Sequence, residues 1–97
     1  MRRLLNVPGD QLFDSSAAHR LDDDVALRPE PFGALAYHYG TRRLTFLRSK
    51  LLADLVEGLG DHPSVDAALD SGVPAGERAA YRRALESLFS SRFIRAV

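Results

Sequence analysis

An α+β domain, a three-stranded antiparallel sheet followed by three helices, is the fold this sequence predicts. Two changes of pattern and one of size carry that expectation. Between Val25 and Leu47, short apolar runs are separated by turn residues, Pro29-Glu30-Pro31 and then Gly40-Thr41. From Ser49 onward the apolar spacing shifts from two to three and four, the period of a helix. The chain has 97 residues, 45% hydrophobic and 27% charged, which suits one domain with one modest core.

Residues 1–20 show no clear periodicity and read as a partly flexible N-terminal arm, with residues 21–97 as a single domain. Pro8-Gly9 and Asp14-Ser15-Ser16 are turn chemistry, and Phe13 and Leu21 are the anchors expected to hold the arm on the core. The first strand, Val25 to Arg28, is expected to stop at a corner made by Pro29 and Pro31, because proline donates nothing to a ladder. Phe32 to Tyr39 reads as the second strand. Gly40-Thr41 reads as a two-residue II′ loop with glycine supplying a positive φ, and Arg42 to Leu47 as the third strand.

Register follows by arithmetic. With Tyr39 facing Arg42, Tyr37 meets Leu44 and Leu35 meets Phe46, an apolar set expected to face the core. His38 opposite Arg43 and Ala36 opposite Thr45 then form the wetter face, and a one-residue slip would scramble both.

In the first helix Ser49 is the expected N-cap, Leu52, Leu55, Val56 and Leu59 share a face, and Gly60 is placed to end it. Ser64 caps a short second helix with Val65, Ala68 and Leu69 inward, stopped by Gly72 and Pro74. The third helix begins between Pro74 and Glu77 and turns Tyr81, Ala84, Leu85, Leu88 and Phe89 inward. Phe93 and Ile94 are expected under the sheet. Three strands followed by three helices in this order describe a small winged-helix-like domain.

Composition narrows the function classes. Thirteen Lys+Arg balance thirteen Asp+Glu for a net charge of +0, unlike a generic nucleic-acid binder. The charge is nonetheless uneven. Asp10 to Glu30 holds six acids and two arginines, and Gly76 to Val97 holds five arginines and two glutamates. The chain contains no Cys, which excludes disulfides, thiolate zinc sites and cysteine nucleophiles. No apolar run approaches the roughly 20 residues that span a bilayer, and the start lacks the apolar centre of a signal peptide, so a cytoplasmic protein is expected.

Candidate catalytic and metal-binding groups fail on spacing. Asp22-Asp23-Asp24 reads as a solvated acidic turn, since consecutive carboxylates on an extended chain cannot face one ion. His19, His38 and His62 match no ligand motif. No serine sits in a nucleophile elbow, and Ser49-Lys50 lacks the upstream glycines of a P-loop. The expectation is no catalytic residue, no metal and no cofactor. Arg78, Arg82, Arg83 and Arg92 admit three readings: a charged outer helix face, a DNA-recognition helix, or a clamp for an acidic or C-terminal-carboxylate peptide. The edge of the third strand, Arg43 to Leu47, carries neither Pro nor Lys to blunt it, so another strand can be added there.

A resemblance to a known family joins these readings. The run Val25-Ala26-Leu27-Arg28-Pro29-Glu30-Pro31-Phe32-Gly33-Ala34-Leu35 is similar to the peptide chaperones of mycofactocin biosynthesis. So are Tyr37-His38-Tyr39-Gly40, Thr41-Arg42-Arg43-Leu44, Phe46-Leu47, and His62-Pro63-Ser64-Val65 with Ala67-Ala68-Leu69. These chaperones are RiPP recognition elements, like the pyrroloquinoline quinone peptide chaperone, and the resemblance covers roughly residues 13 to 95. It implies a non-catalytic, winged-helix-like domain without a cofactor. Such a domain binds the leader of a precursor peptide as an added strand on the third strand, against the third helix, and delivers it to a radical S-adenosylmethionine (SAM) maturase. Carried onto this chain, the peptide-binding residues are Arg43, Leu44, Thr45, Phe46 and Leu47 on the strand. Arg78, Tyr81, Arg82 and Leu85, with Leu88 beside them, come from the helix. The partners expected are the leader peptide and the maturase, with no nucleic acid and no membrane, for a monomer or weak dimer. The rival readings are a winged-helix DNA-binding regulator and a structural subunit of an unrelated enzyme.

Overall fold

Pairing in the Val25–Leu47 segment has the register that the side-chain arithmetic predicts, but the opposite face is buried. The computed structural model describes residues 12–97; the Pro8-Gly9 turn and the reading of the chain start lie outside them. Strands β1 (His19–Leu21), β2 (Val25–Glu30), β3 (Gly33–His38) and β4 (Arg43–Leu47) lead into helices α1 (Lys50–Glu57), α2 (Val65–Gly72) and α3 (Arg78–Ser90), and β5 (Ile94–Ala96) closes the chain. Single 3-10 turns, Leu59–Asp61 and Ala75–Glu77, precede α2 and α3. The fold is α+β, with a three-stranded antiparallel sheet in the order β2-β3-β4.

In that sheet His38 pairs with Arg43, Tyr37 with Leu44, Ala36 with Thr45 and Leu35 with Phe46, as expected. The buried set, however, is Ala34, Ala36, His38 and Leu47, while Leu44 and Phe46 are 54% and 50% exposed. This corrects the face assignment, and the reason is steric. Across the sheet, Leu27 pairs with Ala36 and Ala34 with Leu47, so the central strand offers methyl groups flanked by larger side chains. That hollow is where α1 packs. A face of large rings would hold the helix off, whereas close packing favours the alternation of large and small.

His38, placed by the sequence on the wetter face, is buried with its Nδ1 satisfied. Its Nδ1 accepts the backbone N–H groups of Gly40 at 3.0 Å and Thr41 at 3.1 Å, and its ring meets Phe93 edge-on at 5.8 Å. The same contacts remake the hairpin loop, which corrects the II′ expectation. The loop spans the four residues 39–42, Arg42 N–H closes it on His38 O at 2.8 Å, and the positive φ, 64°, falls on Arg42 rather than on Gly40.

Three further boundaries differ. β2 runs through Pro29 to Glu30 and turns at Pro31-Phe32, because β2 is an edge strand and can carry a proline whose nitrogen points away from its partner. Helix α1 stops at the Gly58 cap, ahead of Gly60. Phe93 and Ile94 are buried as expected, but Ile94 begins β5, which pairs with β1 in a ribbon of its own.

The serine caps form as the sequence predicts, Ser49 Oγ accepting from Leu52 N–H at 2.9 Å and Ser64 Oγ from Ala67 N–H at 3.0 Å. Val56, Leu59, Val65, Leu69, Leu85 and Ile94 fill the core between helices and ribbon, and Phe13 and Leu21 pack against it. Phe13 lies tilted against His19 and Phe89, the anchor expected of it.

Candidate functional site

β4 is an edge of its sheet, and hydrogen-bond phase decides what that edge offers. Tyr39 N–H donates to Asp24 O at 2.8 Å, so the odd-numbered residues of β3 bond toward β2. Ala34, Ala36 and His38 therefore bond toward β4, to Leu47, Thr45 and Arg43. The backbone N–H and C=O groups of Leu44 and Phe46 are left pointing away from the sheet. An extended chain laid beside β4 would meet donor and acceptor from each of these two residues.

The side chains of the same two residues stand on the outer face of the sheet. There Phe46 meets Phe32 edge-on at 5.8 Å, Tyr37 meets Tyr39 at 5.0 Å, and the Arg48 guanidinium lies 5.5 Å from the centre of the Phe46 ring. Phe32 and Tyr39 are also exposed, so Phe32, Tyr39, Leu44 and Phe46, with half-buried Leu35 and Tyr37, form a wide apolar patch. Scattered exposed apolar residues are ordinary, but a contiguous patch of this kind is characteristic of binding surfaces. Sequence reading assigned Leu35, Tyr37, Leu44 and Phe46 to the core and did not single out Phe32 and Tyr39. The available signal was Ala34 and Ala36 on the alternate positions, marking the face a helix can approach.

The residues of α3 carried over from the resemblance are placed differently from one another. Tyr81 reaches the β4–α1 junction, where its hydroxyl and Ser49 Oγ share a hydrogen bond of 3.0 Å. Arg78 turns onto α2, donating from Nε to Val73 O at 2.8 Å and lying 3.4 Å from the Asp70 carboxylate. Arg82 donates to Asp66 Oδ1 at 3.3 Å, also on α2. Leu85 is 0% exposed and Leu47 1%, so both are core side chains, and Leu88 is buried too. On the strand, Arg43 is exposed and Thr45 half-buried. The structure thus gathers Arg43, Leu44, Thr45 and Phe46 along one open edge and brings Tyr81 to its C-terminal end.

Residues 18–95 match the family model of the peptide chaperone MftB family. The chain belongs to that family. Its relatives include the peptide chaperone MftB of Mycobacterium ulcerans, 44% identical with 97% of this chain and 94% of the relative covered. The Mycolicibacterium smegmatis protein of the same name is 45% identical over 84% of this chain and 81% of its own length. That of Mycobacterium tuberculosis is 41% identical, over 84% and 76%. No solved structure matches the chain.

The matched span runs from just before β1 into β5, so the family signature takes in both the sheet and the closing ribbon. The shifted carboxyls lie away from the β4 edge. Hydrogen bonds from Ser16 hold Asp14 below the usual aspartate range, and the Arg20 guanidinium does the same for Asp23. Asp22 Oδ1 accepts Asp24 N–H at 2.9 Å, an ordinary acidic turn. Among the described residues no three His, Asp or Glu side chains are grouped to hold a metal, and no helix is long and apolar enough to cross a membrane.

Proposed function

We propose that the protein holds the leader of a mycofactocin precursor peptide as an added strand along β4 and presents it to a radical SAM maturase, without performing chemistry itself. The observation that carries this reading is the outward-pointing backbone of Leu44 and Phe46 on a sheet edge with which no strand among the described residues pairs. Backbone hydrogen bonds supply affinity in that mode, and side chains at alternate positions supply selectivity. Membership of a family of peptide chaperones supports a peptide as the ligand. Tyr81 closes one end of the edge, and Arg78, Arg82 and Leu85 form the body of the helix behind it. Tethering the leader raises the local concentration of the reacting end at the maturase. The protein acts in the cytoplasm as a monomer or weak dimer.

Amide NMR titration with the precursor peptide tests the reading. Shifts concentrated in Arg42–Leu47 and Arg78–Leu88 are expected. Absent or scattered shifts at saturating peptide overturn it, and a salt-sensitive mobility shift with duplex DNA would favour the regulator instead.

A further inference from the structure

The inverted sheet bears on which peptides the edge accepts, a question that rests on the strand-addition reading above. In an antiparallel or parallel ladder, a residue of the added strand lies beside its neighbour on the same face. The edge bonds through Leu44 and Phe46, whose side chains stand on the outer face, among Phe32, Tyr37 and Leu35. Side chains of the added strand that fall on this face meet exposed rings and aliphatic carbons. Those on the opposite face meet Arg43, Thr45 and the rim of a core already filled by Leu47 and Leu85.

Charge adds a second, independent constraint. From Pro31 to Ala53 the chain has no Asp or Glu, while Arg42, Arg43, Arg48 and Lys50 fall within it. Five ion pairs occur among the described residues, and none of them includes any of these four cations. Lys50 even opens α1, where the helix dipole disfavours a cation. Arg42 and Arg43 stand at the N-terminal end of β4, and Arg48 and Lys50 just past its C-terminal end. The open edge is therefore an apolar strip flanked at both ends by cations that form no ion pair among the described residues.

We infer that peptide selection is made on the outer face of β4, for a strand that is apolar at alternate positions and acidic at its flanks. Leu44, Phe46 and Phe32 take the apolar side chains there, Arg42 and Arg48 take carboxylates at the two ends, and Arg43 reaches one from the opposite face. The α3 side of the edge contributes support more than discrimination. The apolar contacts hold the complex, and the charges orient the strand and speed its capture.

Calorimetric titration of the full chain with the precursor peptide, paired with amide NMR, tests this. Phe46→Ala and Leu44→Ala are each expected to weaken binding by about tenfold. Arg43→Gln with Arg48→Gln is expected to weaken it about fivefold and to flatten its salt dependence. A Phe46→Ala protein with a native amide spectrum, undiminished affinity and intact β4 shifts overturns the outer-face assignment while leaving strand addition standing. Affinity indifferent to salt, and to changing the peptide's acids to amides, overturns the charge assignment in the same way. If the unaltered protein shows no β4 shifts at all, strand addition itself fails.

Discussion

The two faces of the β2-β3-β4 sheet are built from the same three strands and do opposite things. The inner face is Ala34, Ala36, His38 and Leu47, small or internally satisfied groups on which α1 rests. On β3, β4 and the turns beside them the outer face is Phe32, Leu35, Tyr37, Tyr39, Leu44 and Phe46, larger and more apolar than the inner residues of the same strands, yet open to solvent, while β2 contributes Ala26, Arg28 and Glu30 to it. Hydrophobicity summed over β3 and β4 does not decide which face of those two strands is buried in this protein. What decides is which surface a helix can approach closely, and the other face is left as an exposed apolar patch.

The sharpest way to break that contrast is at neighbouring positions. Leu47→Ala, on the inner face, is expected to cost roughly 3 kcal/mol in chemical denaturation, because a fully buried leucine leaves a cavity against α1. Gly33→Ala should cost about 2 kcal/mol. Gly33 adopts φ 152°, and a Cβ there would collide with the carbonyls of Leu47 and Ser49 where β4 passes into α1. Phe46→Ala, one residue from Leu47 but on the outer face, should change stability by only about 0.5 kcal/mol. If it destabilises as much as Leu47→Ala, the two faces are not distinct in the way described.

The smallest expected effect lies around β1, at Asp14 and Asp23. Asp14 and Asp23 are held below the ordinary aspartate value of 3.8, so their contribution is complete above that pH and is lost as pH falls through their lower folded values. Denaturation followed below pH 3.8 should show a slight loss, and Arg20→Gln should remove the part due to Asp23.

How much of this was legible in the sequence follows the range of each signal. The serine caps at Ser49 and Ser64 are local chemistry and were readable directly. Register was readable because a slip by one residue disturbs every pair from His38–Arg43 to Leu35–Phe46. The face was not, because the hollow formed by Ala34 and Ala36 matters only once α1 is in place. His38 misled for a related reason, since its partners are backbone groups of a loop whose shape the ring itself helps to set. β1 and β5, three residues each, are too short for any alternation to show. Within the candidate site, the open edge at Arg43–Leu47 was legible. The engagement of Arg78 and Arg82 by Asp70 and Asp66 was not, because it depends on how α2 and α3 cross.

The β1–β5 ribbon sets a timetable for the chain. His19 pairs with Ala96 and Leu21 with Ile94, so this closure waits until nearly the last described residue has left the ribosome. The β2–β4 hairpins, made of local pairs, can form well before that. During synthesis the β4 edge is therefore present while the domain is still open at the other end. Until Phe93 and Ile94 arrive to seal the core, its apolar surface at that end stays open to neighbouring chains.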